Sequence, residues 1–312
     1  MGGSTSPAIL VTGAERQVTI RLEGGCFVTQ LRAGEPVRAG SLTCWPLVGR
    51  QSGAAHISLR TLEFGPGASP PLRTGDWDDI WFVVEGMGAV LLHGSRHGIR
   101  PGTGVHLAPG TTVHVDNHGP GRLVVTSCRC PDPGPDLRTG GEPSAATVAP
   151  TPSGEPRDTG AGISEVRVSM VRDSEVRDSV VQDAGHRRLD AVPIVHLEDR
   201  PTEQSGERWF QVLVDRSTGC ESVTQFVGSI PPGRAPDHFH EYEEVLCILE
   251  GTGRMWAGRS HTPIGPGSCV YLPRGQVHCV ENRGDGPLRL LGVFYPAGSP
   301  AARYDPADPS PR

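Results

Sequence analysis

The sequence predicts an all-β protein in which two small antiparallel barrels stand in tandem, joined by a Pro/Gly-rich linker. Three observations predict it. The 312 residues include 42 glycines and 30 prolines, a composition that favours tight turns and short strands because both residues break helices. Runs rich in Val, Ile, Leu and aromatic residues recur between Gly and Pro every ~8–12 residues, the rhythm of a sandwich or barrel rather than of alternating strands and helices. The two flanks of the chain also resemble each other, and at ~150 residues per domain the length suits two domains.

The first unit, 8–130, carries the strand candidates HISLRTLEF, IWFVVEG and RLVVTSC; the second, 189–300, carries SVTQFVG, EVLCILEG, SCVYLP and LRLLGVFY. Gly65-Pro66-Gly67, Asp79, Pro101-Gly102, Pro109 and His114 are echoed by Pro231-Pro232-Gly233, Glu244, Pro266-Gly267, Pro273 and His278. Asp79 to Gly86 and Glu244 to Gly251 are both seven steps, and Pro109 to His114 and Pro273 to His278 are both five. This reads as an internal duplication. Between the units, 131–188 opens with few large apolar residues to bury and is expected to be a partly disordered linker. Its pentapeptide echo, Val166 to Gly185, matches neither the helical nor the strand period, and four copies are too few for a solenoid. Residues 301–312 read as a disordered tail.

Composition excludes several functions. All 29 basic residues are arginine, so a Schiff-base aldolase, a pyridoxal enzyme and a standard P-loop each lack their lysine. A net charge of -6 without a basic run argues against nucleic acid as the partner. No secretory signal and no apolar run of ~18 residues is present, so no membrane is expected. Eight cysteines are too sparse for a disulfide scaffold and, with Cys128 and Cys130 read as free thiols, suggest a cytoplasmic protein. The Gly-x-Gly pairs lack a dinucleotide fingerprint, and no Gly-x-Ser-x-Gly elbow supports a serine hydrolase.

The chemistry lies in the second unit. His238 and His240, two apart, share one face of a strand. Glu244 keeps their parity if the strand continues, or returns to the same centre through a turn. Further on, Pro273 and Gly275 reverse the chain so that His278 begins a new strand. Three imidazoles and one carboxylate converging inside a barrel suit Fe, Mn, Ni, Cu or Zn rather than Mg or Ca. Four protein ligands on a six-coordinate ion leave two positions open.

These blocks resemble the paired signatures of the cupin superfamily: Gly233, His238-x-His240, Glu244, Gly251, then Gly267, Pro273-x-Gly275, His278 and Asn282. Only the gap from Gly233 to His238 is one residue short. The resemblance implies two jelly-roll (double-stranded β-helix) barrels, a bicupin, with His238, His240, Glu244 and His278 as metal ligands and the glycines, Pro273 and Asn282 as framework. In the first unit the matching histidine positions hold Arg73 and Gly75, leaving Asp79 and His114 as the ligand-capable positions; His93, His97 and His106 lack the spacing. A degenerate, metal-free first barrel is expected, serving packing, dimerisation or the walls of a substrate pocket, and a homodimer stays open.

By strand parity Leu246 and Ile248 line the cavity behind Glu244. Met255, Trp256, Tyr271 and Phe239 are candidate walls, and Arg254, with Arg234 and Arg274, lies near its mouth, where a guanidinium grips a carboxylate. The resemblance implies a mononuclear metalloenzyme acting on a small-molecule substrate, first a dioxygenase using Fe(II), with Mn, Zn and Ni open. Non-redox Lewis-acid chemistry such as isomerisation, decarboxylation or aminohydrolysis is second, although ureidoglycine aminohydrolases tend to carry glutamine where this chain has His278. A non-catalytic small-molecule binder is third.

Overall fold

The computed structural model describes residues 19–132, 134 and 194–301, with the backbone alone at 304–305 and 308–311. The pentapeptide echo and all of the expected linker but 131, 132 and 134 lie outside the described residues. Tyr304–Asp305 pairs antiparallel with Asp308–Pro311, a short hairpin where the sequence predicts a disordered tail. Among the described residues no helix is long and apolar enough to cross a membrane.

The architecture is two all-β barrels, each made of a large and a small antiparallel sheet. Around the first unit the large sheet runs from Val37–Ala39 through Leu42–Val48, Ser58–Phe64, Leu123–Cys130 and Asp78–Glu85 to Thr103–Leu107. Its small sheet centres on Gly88–Leu92 and Thr112–Asn117. In the second unit the large sheet places Glu243–Glu250 between Ser268–Leu272 and Leu288–Tyr295, and the small sheet places His278–Asn282 beside Gly253–Ala257.

Strand parity explains why these runs read as almost continuously apolar. In Asp78–Glu85, Trp81 and Val83 join Leu62, Phe64 and Leu107 inside the first barrel, while Ile80 and Phe82 on the other face join a second core. In Glu243–Glu250, Leu246 and Ile248 enter the interior of the second barrel, while Val245 and Cys247 belong to the same core as Ile80 and Phe82. Each large sheet is therefore buried on both faces, which removes the polar positions of a half-exposed strand. All eight cysteines are free and buried.

The barrels also exchange strands. Phe27–Gln30, from the N-terminal unit, pairs with Ser268–Leu272 of the second barrel, Phe27 opposite Tyr271. Ile194–His196, from the C-terminal unit, pairs with Thr103–Leu107 of the first barrel. The partition of the sheets thus crosses the partition of the chain.

The duplication is visible in hydrogen bonds. Asn117 donates Nδ2–H to the carbonyls of Phe64 and Gly121 and accepts from the Gly119 N–H. Asn282 does the same with Ile230, Gly286 and Gly284. A constant offset of 165 positions relates Asn117 to Asn282, Gly86 to Gly251 and Asp79 to Glu244.

That offset corrects one correspondence. Val113, opposite Leu92, takes the place of His278, opposite Ala257. Pro109 sits one position later in its turn than Pro273, and a slip of one residue reverses the face. Val113 is buried in the first barrel and His114 is exposed.

Candidate metal centre

The segment between Gly233–Arg234 and Glu243–Glu250 is a loop, pinned at one place to the small sheet. His238 N–H donates to the His278 carbonyl at 3.0 Å and His278 N–H donates back to His238 at 2.8 Å. Glu243–Glu250 then begins after a bend at Glu241 and Tyr242, so a turn, not a continuous strand, returns Glu244 to the two histidines. Gly275 N–H holds the His240 carbonyl at 2.8 Å, tying the loop to the hairpin that precedes His278.

The three imidazoles converge. Each offers a ring nitrogen, and these lie within 4.8 Å of one another. Ring centroids are 5.0 Å apart for His238 and His240, 4.5 Å for His238 and His278, and 5.2 Å for His240 and His278. Glu244 joins through His240, its Oε2 lying 3.7 Å from Nε2. His240 stacks on Tyr242 at 4.7 Å, and Tyr242 stacks on Phe294 at 4.1 Å, so the ring plane is set by an aromatic column rooted in the core.

The donor set fits a divalent ion. His278 Nδ1–H donates to the Gln276 carbonyl at 2.7 Å and His238 Nδ1–H to that of Pro236 at 3.1 Å, which leaves Nε2 as the lone-pair nitrogen on each ring. Burial, opposed in part by that bond to Gln276, pushes His278 down to about 4, so the imidazole is neutral at physiological pH and competent as a ligand. Burial pushes the Glu244 carboxyl up to about 8, and a divalent cation is the counter-charge that returns such a group to its carboxylate form.

A cleft of about 710 Å³, solvent at its mouth included, opens above these four side chains. Phe210, Phe226, Tyr242, Leu246 and Leu290 give it apolar and aromatic walls; Arg208 and Ser229 are polar groups on the same lining. Of the pocket residues expected from sequence, Leu246 lines the cleft. Ile248 and Met255 are buried in the barrel core and do not line it. Tyr271 has the opposite parity to Leu272 and lies in the core shared by the two barrels. Trp256 faces outward, stacked on His261 at 4.1 Å with Arg234 over its ring at 4.2 Å. Arg254 pairs across the small sheet with Glu281, outside the cleft lining. Arg274 is bound to Glu241 at 2.6 Å.

In the first barrel the corresponding pocket is lined by arginines, Arg60, Arg73 and Arg129, around Asp79. Asp79, the counterpart of Glu244, accepts from Arg60 at 2.7 Å and from Ser127 at 2.5 Å. A guanidinium thus occupies the carboxylate where the second barrel presents imidazoles, and Arg73 and Gly75 supply no ligand atom.

Comparison with known proteins places the fold. Residues 226–294 match the cupin domain family. The second barrel is a cupin domain. Over the whole chain the fold is that of a bicupin. A Pseudomonas aeruginosa protein described as glyoxylate-induced superposes with a TM-score of 0.61 at 16% identity, covering 90% of this chain and 92% of that one. Bacillus subtilis oxalate decarboxylase superposes with a TM-score of 0.60 at 12% identity, covering 87% and 77%. In sequence, the chain is similar to Arabidopsis thaliana auxin-binding protein 1, 25% identical over 34% of this chain and 61% of that protein. It is also similar to the tetracenomycin polyketide synthase protein TcmJ of Streptomyces glaucescens, 26% identical over 39% and 83%. The chain spans about three fifths of the length of auxin-binding protein 1.

Two contributors to the cupin site escape sequence reasoning. Arg208 reaches the cleft from Arg208–Val214, before either signature block, and Tyr242 fixes His240 from a position that reads as a spacer. Neither has a spacing signal, because what brings each to the candidate ligands is the closure of the barrel.

Proposed function

We propose that this bicupin is a mononuclear metal-dependent enzyme whose substrate is a small molecule with an apolar or aromatic body and an anionic group. The observation that carries this is the pairing of the three-histidine, one-glutamate cluster with an aromatic-walled cleft that also holds Arg208. His238, His240, Glu244 and His278 would hold the ion. When bound, it supplies Lewis acidity and, as Fe(II), the capacity to react with dioxygen.

The chain's own groups do the rest. Arg208 puts a positive charge on the cleft lining that also holds Phe210 and Phe226, and an anionic substrate group is drawn to that side. The aromatic walls displace water and strengthen every polar contact in the cleft. Tyr242 holds the His240 ring in plane, so that the ligand nitrogen does not swing as substrate enters. The absence of a basic run and the burial of all eight thiols support a small-molecule partner in a reducing cytoplasm over nucleic acid or a membrane.

Dioxygenase chemistry with Fe(II) is the first reading. The fold shared with oxalate decarboxylase supports a second, in which a metal such as Mn serves non-redox chemistry of the decarboxylase kind. Oxygen uptake by the Fe(II)-loaded protein with a panel of small aromatic carboxylates is expected on the first. Turnover that continues under argon with Mn(II) assigns the second. A protein that takes up no stoichiometric metal and ignores chelators overturns both.

A further inference from the structure

A second cluster of metal-ligating side chains lies where the barrels meet. Asp78 and His106 come from neighbouring strands of the first large sheet, and Cys220 comes from the second unit. One ligand atom from each lies within 4.8 Å of the other two. His106 Nε2 is 2.7 Å from Asp78 Oδ1, and Ser222 donates to Asp78 Oδ2 at 2.6 Å, orienting the carboxylate from outside the cluster.

Cys220 is placed by a rigid turn. The short 3-10 segment Arg216–Thr218 starts on Asp215, whose carboxylate accepts from Ser217 N–H and whose carbonyl accepts from Cys220 N–H at 3.0 Å. Gly219 completes it at φ 89, a left-handed conformation that glycine adopts without strain.

The internal duplication supplies a control inside the same molecule. The counterparts of Asp78 and His106 are Glu243 and Tyr271. The counterpart of Cys220 is Ala54, whose N–H bonds the Gly49 carbonyl just as Cys220 N–H bonds that of Asp215. On that side Tyr271 donates to Glu243, which also accepts from Ala55 N–H at 2.7 Å and His56 N–H at 2.6 Å. There a tyrosine hydroxyl and two backbone N–H groups satisfy the carboxylate, with the His56 imidazole alongside at 3.5 Å. The interface therefore does not demand His106 and Cys220 at these places.

We propose that Asp78, His106 and Cys220 form a second divalent-metal site, of zinc type, that staples the two barrels together. A thiolate, an imidazole and a carboxylate are a zinc donor set, and two of them come from one barrel and the third from the other. His106 and Cys220 are buried, while Asp78 is partly exposed and gives the ion its way in. Tetrahedral zinc would hold its nitrogen and oxygen donors roughly 3.3 Å apart, against 2.7 Å here, so the pair opens by a fraction of an ångström. On binding, two protons leave to solvent, that of the Cys220 thiol and the one His106 Nε2 donates to Asp78; the freed sulfur and Nε2 lone pairs and the Asp78 carboxylate bond the ion, and water takes the fourth position.

Cobalt(II) titration of the full chain separates this site from the cupin centre, because only this one contains sulfur. Wild-type protein is expected to take up two equivalents and to develop thiolate-to-cobalt charge-transfer absorption in the near ultraviolet. Cys220→Ser is expected to lose that absorption and one equivalent, whereas His240→Gln keeps the absorption. His106→Tyr, which copies the residue on the duplicated side and preserves a donor to Asp78, is expected to fold and to lose the absorption too. Wild-type protein without the absorption, or absorption that survives Cys220→Ser or His106→Tyr, overturns the proposal.

Discussion

His240 is held between Tyr242, 4.7 Å away, and Glu244 Oε2 at 3.7 Å. Replacing it with glutamine removes an imidazole from the cluster while keeping its polarity. Metal occupancy of the cupin centre in His240→Gln is expected to fall at least about tenfold, the loss caused by removing even an outer hydrogen-bond partner of a ligand. Arg73→Gln, at the duplicated histidine position, leaves occupancy at the wild-type level. Elemental analysis of the two variants reads the difference, and equal losses would overturn the division of labour between the barrels. The four candidate ligands were legible in the sequence because their spacing encodes a turn and a strand start. Arg208 and Tyr242 were not, since a side chain that enters a cleft through barrel closure leaves no trace in spacing.

At the level of the element, the runs of Val, Ile and Leu gave the strands, and Gly and Pro gave the turns. What they did not give was registration. Equal five-residue steps from Pro109 to His114 and from Pro273 to His278 aligned the repeats one position out, whereas the ladder puts Val113 opposite Leu92 and His114 in solvent. Asn117 and Asn282 mark the register because each closes a loop with two donated bonds and one accepted bond. Both residues are buried, and an unmet buried partner costs about 1–3 kcal/mol. Asn117→Ala and Asn282→Ala are each expected to destabilise by about 2–4 kcal/mol, read from the denaturant midpoint. A loss below about 0.5 kcal/mol, the usual scatter of surface changes, would show that water replaces the side chain at no cost.

On the scale of the whole molecule, two barrels in tandem were legible from the repeat, and their joining was not. Periodicity says which face of a strand is apolar but not which neighbour covers it, so the core shared by Ile80, Phe82, Val245 and Tyr271 and the strand exchange emerge only in three dimensions. Glu243 is the polar bolt of that interface, accepting from Ala55 N–H, His56 N–H and Tyr271. Glu243→Ala strands those donors and is expected to cost at least about 3 kcal/mol. Glu243→Gln retains one acceptor oxygen and is expected to lose less. Melting temperatures of the two variants check this order, and an alanine variant as stable as the glutamine variant would contradict it.

The traded strands also govern how the protein is made. When the first half emerges from the ribosome, Thr103–Leu107 is a bare sheet edge, and its cover, Ile194–His196, has not yet been synthesised. Phe27–Gln30 waits longer still, until Ser268–Leu272 arrives. Both edges are therefore completed only once the second half is present, and until then they are open to neighbouring polypeptides.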